Sequence, residues 1–162
     1  MDGFSADGYI TDQNFFGGYT YRRIGSDING CGWIAAYNLR HAMGQEVDFD
    51  DVRREMDAMI RPQIPGPTPM RVLRAYLRRY VPCRYAAGKA ASLRAGETAA
   101  AGILRYWEGR TPHFIAFVRE DKTRCRFFNV ADGREDFIED FGVFFQNHCR
   151  RGFIRILTAG NA

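Results

Sequence analysis

The sequence predicts a single α+β domain over residues 1–162, in which helices come first and an antiparallel sheet follows. Apolar residues recur at helical spacing between residues 31 and 80. Short runs rich in aromatic and β-branched residues follow between residues 102 and 157. The chain has 162 residues, of which 46% are hydrophobic and 14% aromatic, so one domain can bury a substantial core.

The first predicted helix covers residues 31–43 and follows an irregular lead-in over residues 1–28, which contains a short strand near residues 19–23. The apolar residues of this helix cover most of its circumference, as in a helix that is buried on all sides. Gly44 is suited to end it. We therefore expect a central helix packed on the sheet, with Cys31 at its N-terminus.

Two more helices are predicted before the sheet. The spacing of apolar residues predicts a helix over residues 48–60, with Asp48 as its N-cap. A third helix is predicted to begin with Thr68 as N-cap and Pro69 at the first helical position, and to end at Pro82.

Strand-like runs dominate the remainder of the chain. They lie at residues 83–87, 102–107, 114–118, 124–130 and 153–157. The run at 114–118 is apolar throughout, which indicates a central strand covered on both faces. Residues 88–99 have no clear period, and aromatic spacing predicts a last helix over residues 135–148.

Charge and hydropathy argue against nucleic-acid and membrane partners. The net charge is +4, but the basic residues are scattered among 19 acidic ones. No apolar run approaches the roughly 20 residues needed to span a bilayer, and no signal-peptide pattern is present. We expect a cytoplasmic, soluble protein, with secretion by a non-classical route as the alternative.

The cysteines do not form a disulfide framework or a metal site. The four cysteines are Cys31, Cys83, Cys125 and Cys149. They contain no C-x-x-C motif, and the sole adjacent histidine–cysteine pair, at residues 148–149, has no partner pair elsewhere. The sequence therefore predicts no structural metal and no cofactor.

Cys31 stands between two glycines at the start of the predicted central helix. The free N–H groups and dipole of a helix N-terminus stabilise a thiolate, which is the nucleophilic form of cysteine. Gly30 and Gly32 would leave room for a substrate backbone. The alternative is a buried cysteine that only fills space.

His113 is the histidine best placed to act with Cys31. It precedes the most apolar strand, whereas His41 lies about three helical turns from Cys31, too far for contact. A hairpin centred on Asp121 would place His113 opposite Asn129, whose side-chain carbonyl could orient the ring. Asp132, just beyond the strand, is the alternative orienting residue.

The oxyanion of an acyl-transfer reaction needs hydrogen-bond donors near the nucleophile. The side-chain amides of Asn29 and Gln13 are the candidates, because an ionised aspartate such as Asp27 cannot donate. The sequence does not separate these two candidates.

Several short motifs together resemble the papain-like cysteine peptidases, and most of all the small bacterial C39-like branch. They are Asn29-Gly30-Cys31-Gly32 with the following Ala35-Ala36-x-x-Leu39, Gly66-x-Thr68-x-x-x-x-Leu73, Pro112-His113-Phe114-Ile115-Ala116-Phe117, and Asn129. The resemblance covers roughly residues 25 to 132. The chain departs from that branch in having Gly25 where a glutamine is usual, and Asn129-Val130 where Asp-Pro is usual.

This resemblance implies a thiol-dependent peptidase or amide hydrolase that acts on a peptide or protein through an acyl-enzyme. Cys31 would be the nucleophile, His113 the general base and acid, and Asn129 the orienting residue. Two alternatives remain: an acyltransferase or deamidase with the same triad, and a catalytically inactive relative that binds proteins.

Overall fold

A computed structural model describes residues 2–130 and 137–160 of the chain. The described residues form an α+β fold with an antiparallel sheet, which confirms the predicted fold class. The helices are α1 (Ser26–Asn29), α2 (Cys31–Ala42), α3 (Phe49–Met59), α4 (Met70–Leu77), α5 (Lys89–Thr98) and α6 (Phe141–His148). The strands are β1 (Thr20–Tyr21), β2 (Ile24–Gly25), β3 (Cys83–Ala87), β4 (Ala101–Glu108), β5 (Thr111–Arg119), β6 (Arg124–Phe128), β7 (Phe137–Asp140) and β8 (Arg155–Ala159).

The main sheet has the strand order β3-β8-β4-β5-β6-β7 and is covered on both faces. Side chains of β5 alternate between two apolar cores: Phe114 and Ala116 join the core formed with α2, α3 and α4, and Ile115 and Phe117 join the core formed with α6. This alternation explains why residues 114–118 are apolar at every position. The predicted central strand is confirmed.

Helix α2 is the central helix of the fold. Every residue from Cys31 to Leu39 is buried, and α2 packs on β5 and β4. Gly44 follows the helix with a φ of 76°, a left-handed conformation that glycine adopts without strain. The packing of α2 on the sheet brings the N-terminus of the helix, and with it Cys31, near the start of β5.

The irregular N-terminal segment is attached to α2 by buried hydrogen bonds. The side chain of Asn38 accepts from the N–H of Ile10 at 2.8 Å and donates to the carbonyl of Ile10 at 2.9 Å. The hydroxyl of Tyr37 donates to the carbonyl of Gly8. These bonds fix the path of the segment, which continues into a 3-10 turn at Gln13–Phe16.

The predicted N-cap of α3 is confirmed, whereas the predicted N-cap of α4 is wrong. Asp48 caps α3, accepting from the N–H groups of residues 50 and 51. Thr68 does not cap α4, which begins at Met70 and ends at Leu77, before the predicted end at Pro82. The hydroxyl of Thr68 lies 2.8 Å from that of Tyr21 instead. Because the Tyr21 hydroxyl is buried, it needs a hydrogen-bond partner, and Thr68 supplies it.

Several elements in the second half of the chain differ from the prediction. The predicted helix over residues 135–148 begins only at Phe141, because residues 137–140 pair with β6 as β7. Residues 89–98, which have no clear period, form α5. The last strand runs from residue 155 to 159 rather than from 153 to 157. Among residues 2–130 and 137–160, no helix combines the length and apolarity needed to cross a membrane.

Candidate active site

Cys31 lies in an open cleft of about 370 Å³, called here the Cys31 cleft. Its walls come from the 3-10 turn at Gln13, helix α1, the start of α2, the Gly66-Pro67 loop, the β4–β5 hairpin and the end of β6. These segments are far apart in sequence. Only the packing of α2 on the sheet and the attachment of the N-terminal segment bring them together.

Cys31 and His113 line the same cleft, and their side chains interact there. His113 is the third residue of β5, and its Nε2 lies 2.8 Å from the main-chain oxygen of Asn129. A carbonyl oxygen only accepts hydrogen bonds, so Nε2 carries a proton and donates it to Asn129. Nδ1 is then the ring nitrogen that exchanges a proton with the thiol.

The surroundings favour the protonated imidazole of His113. Burial by itself lowers the pKa of His113. The hydrogen bond and negative charge of Cys31, the Asn129 carbonyl and the Glu108 carboxylate outweigh burial and raise the pKa from 6.5 to about 9. The His113 ring is therefore positively charged at neutral pH, and a charged ring stabilises a thiolate beside it.

The β5–β6 register differs from the predicted one by two residues. Ala116 lies opposite Phe128, whereas a turn centred on Asp121 would place it opposite Arg126. The Asp121 carboxylate accepts from the N–H groups of Thr123 and Arg124, which moves the turn toward the C-terminus. His113 thus has no strand partner on β6 and reaches Asn129 beyond the end of that strand.

Asn129 orients His113 through its main chain, not through its side chain as expected. Its φ of 62° is left-handed, a conformation that asparagine tolerates better than most residues, and this turn follows directly after β6. The side-chain oxygen of Asn129 instead accepts from the N–H of Gln13 at 2.9 Å, and its amide donates to the Gln13 side-chain oxygen at 2.9 Å. The Asn129 side chain therefore holds the N-terminal segment against the cleft.

Both predicted oxyanion candidates line the cleft. Gln13 donates from Nε2 to the carbonyl of Asp27 at 2.8 Å, and Asn29 donates from Nδ2 to the carbonyl of Gly66 at 3.2 Å. Each amide has two hydrogens, so each retains a second one beyond these bonds. The N–H of Cys31, at the start of α2, is a further donor of the kind that a helix leaves free.

The glycines beside Cys31 serve the packing of the protein rather than substrate access. A Cβ on Gly32 would lie 2.1 Å from the hydroxyl oxygen of Thr68, and one on Gly30 would lie 2.5 Å from the carbonyl of Ser26. Either atom would overlap its neighbour. The expectation that these glycines make room for a substrate backbone is therefore replaced by an internal steric reason.

Two charged residues near the pair were not singled out from the sequence. Glu108 ends β4, and its Oε2 lies 3.9 Å from Nδ1 of His113. Arg105, three residues earlier, interacts electrostatically with Cys31 and donates to the carbonyl of Phe153 at 3.2 Å. Burial lowers the pKa of Arg105. A charged residue within an otherwise apolar strand was the available sequence signal for Arg105.

The remaining sequence candidates are placed away from the pair or outside the described residues. His41 bonds through Nε2 to the carbonyl oxygen of Asp7 and stacks on Tyr37. Asp132, the alternative orienting residue, lies outside the described residues. Burial raises the pKa of the other three cysteines, which do not line the cleft: to about 11 for Cys83, about 11 for Cys125 and about 12 for Cys149.

Comparison with known proteins does not assign the chain to a family. No protein-family model matches it. No curated protein matches it by sequence. Within residues 2–130 and 137–160, no group of three or more metal-binding side chains is close enough to hold an ion. The geometry of the Cys31 cleft is therefore the basis for a functional hypothesis.

Proposed function

We propose that the protein is a papain-like cysteine amide hydrolase, of the C39-like kind, that cleaves a peptide or protein substrate. The observation that carries this proposal is the chain of contacts from Cys31 to His113 to the carbonyl of Asn129 inside an open cleft. A cysteine that only fills space has no need of an oriented, charged histidine or of a position in the wall of an open cleft.

The reaction would proceed through an acyl-enzyme. The Cys31 sulfur attacks the carbonyl carbon of the scissile amide, and the oxygen of that carbonyl becomes an oxyanion. The N–H of Cys31, with the amide of Gln13 or Asn29, donates to the oxyanion. As the tetrahedral intermediate collapses, the C–N bond breaks and His113 gives its Nδ1 proton to the leaving nitrogen. Water, deprotonated by His113, then attacks the thioester and releases the acid and the thiol.

The order and placement of elements support the papain-like assignment. The nucleophile opens a buried helix, and the histidine begins a strand on which that helix packs. The main-chain carbonyl of Asn129 takes the place of the side-chain amide in the expected triad. It can fix the ring and stabilise imidazolium, because both roles require only an acceptor at Nε2.

Selective labelling of Cys31 tests the nucleophile. At pH 7.5 iodoacetamide should modify Cys31 much faster than Cys83, Cys125 and Cys149, because burial raises the pKa of those three thiols and keeps them protonated. His113→Ala should slow the labelling of Cys31 by about 100-fold. His41→Ala is the matched control and should leave the rate unchanged. Equal labelling of all four cysteines would refute the proposal.

Turnover is tested with a peptide library prepared from a digested proteome. The wild-type protein should generate new peptide ends, which mass spectrometry detects, and Cys31→Ala should generate none. Rapid labelling of Cys31 without new peptide ends would identify a non-hydrolytic protein. Added hydroxylamine would trap a transferred acyl group as a hydroxamate and separate acyl transfer from hydrolysis.

A further inference from the structure

The charge of the Cys31 cleft is opposite to that of the whole chain. The chain has a net charge of +4. Of the described residues that line the cleft, the charged ones other than the Cys31–His113 pair are Asp12 and Glu108, and neither lysine nor arginine is among them. Arg105 acts on Cys31 electrostatically but does not line the cleft, because its guanidinium bonds to the carbonyl of Phe153.

Glu108 is available for a ligand. Its side chain is 39% exposed, and its distance of 3.9 Å from Nδ1 of His113 is beyond that of a hydrogen bond. The residue ends β4 opposite Thr111, so the hairpin fixes its main chain while the carboxylate faces the cleft. A cationic group could therefore bind this carboxylate without displacing His113.

The proposed reaction determines which part of a substrate meets Glu108. His113 protonates the leaving nitrogen, so the segment released first must pass beside His113. Glu108 is next to His113 and thus adjacent to that segment. Resting on the proposed function, we infer that Glu108 selects substrates with a lysine or arginine directly after the scissile bond.

Asn29, which lines the same cleft, has a buried side-chain acceptor. The side chain of Asn29 is buried. Its Nδ2 donates to the carbonyl of Gly66, so the other atom of the amide group is the acceptor Oδ1. This Oδ1 has no hydrogen-bond partner among the described residues. A buried acceptor without a partner favours a ligand that donates hydrogen bonds. Both Asn29 and Glu108 thus favour a ligand rich in donors, as a peptide with a basic side chain is.

The cleavage profile of the peptide library tests the inference directly. Wild-type cleavage sites should be enriched in lysine and arginine at the first position after the cut. Glu108→Gln should reduce this enrichment by up to about 5-fold, the range of a partly exposed ion pair. Glu97→Gln, a matched change at an exposed glutamate of α5 away from the cleft, should not alter it. Cleavage without basic preference, or with the same preference in Glu108→Gln, would overturn the inference and leave the proposed function standing.

A second measurement does not depend on hydrolysis. Cationic 2-aminoethyl and anionic 2-sulfonatoethyl methanethiosulfonate both react with thiolates to form a mixed disulfide and release methanesulfinate. The ratio of their rates at Cys31 should fall by up to about 5-fold in Glu108→Gln and further in Glu108→Arg. An effect of Glu108 on the His113 pKa changes both rates alike and cancels in the ratio. An unchanged ratio overturns the inference, whereas slow reaction of Cys31 with both reagents overturns the proposed function too.

Discussion

The protonation of His113 is the property that most directly tests the proposed site. In the wild-type protein the contacts of His113 raise its pKa from 6.5 to about 9. Such a change corresponds to about 3 kcal/mol of preferential interaction with the charged ring, at about 1.4 kcal/mol per pKa unit.

Cys31→Ala removes the largest of the influences that favour the charged ring. Burial then remains as the dominant one, and it lowers the pKa of a histidine. The pKa of His113 should therefore fall well below the wild-type value of about 9. At pH 7.5 the wild-type ring is charged, and the variant ring carries less positive charge because its pKa is lower.

NMR titration of the Cε1–H resonances measures this change. The chain has 3 histidines, so the His113 resonance is assigned as the one that His113→Ala lacks. Nitrogen-15 shifts at pH 7.5 should report both ring nitrogens of His113 as protonated in the wild type and a smaller protonated fraction in Cys31→Ala. A wild-type midpoint between 6 and 7, or one that Cys31→Ala leaves unchanged, would refute the thiolate–imidazolium pair.

Two further predictions concern the framework of the site. Asn129→Gly keeps the main-chain carbonyl and the left-handed φ of 62°. The iodoacetamide labelling rate of Cys31 should therefore fall far less in this variant than in His113→Ala. An equal loss of rate would show that the Asn129 side chain is the orienting group. Gly32→Ala places a Cβ 2.1 Å from the Thr68 hydroxyl oxygen and should lower the free energy of unfolding by about 1 to 3 kcal/mol in urea denaturation, with partial recovery in the double variant Gly32→Ala/Thr68→Gly. A Gly32→Ala protein as stable as the wild type would contradict the steric reason given for this glycine.

The expected and observed roles of Asn129 show why residue type and atomic role are separate questions. An asparagine near the end of the hairpin was expected to offer its side-chain carbonyl to His113. The side chain instead pairs with Gln13, a residue 116 positions away, and the main chain turns toward the ring. Asn129 lies next to His113 as expected. The contact of its side chain with Gln13 decides that its main-chain oxygen, and not its side chain, faces the ring.

The sequence by itself determined the local features of this protein. The apolar circumference of residues 31–43 placed Cys31 at the start of a buried helix, and the run at 114–118 placed His113 at the beginning of a central strand. These features depend on the 3.6-residue period of a helix and the 2-residue period of a strand, and both periods are visible in the order of apolar residues. The α+β class followed from the order of these elements.

Only the tertiary structure decided how the site is assembled. The Asp121 turn moved the β5–β6 register by two residues, and the left-handed Asn129 supplied a main-chain carbonyl. The path of the N-terminal segment placed Gln13 in the cleft, and the β4–β5 pairing placed Glu108 beside His113. These four features depend on the conformation of turns or on contacts between residues distant in sequence. Turns and long-range contacts produce no periodic pattern in the sequence.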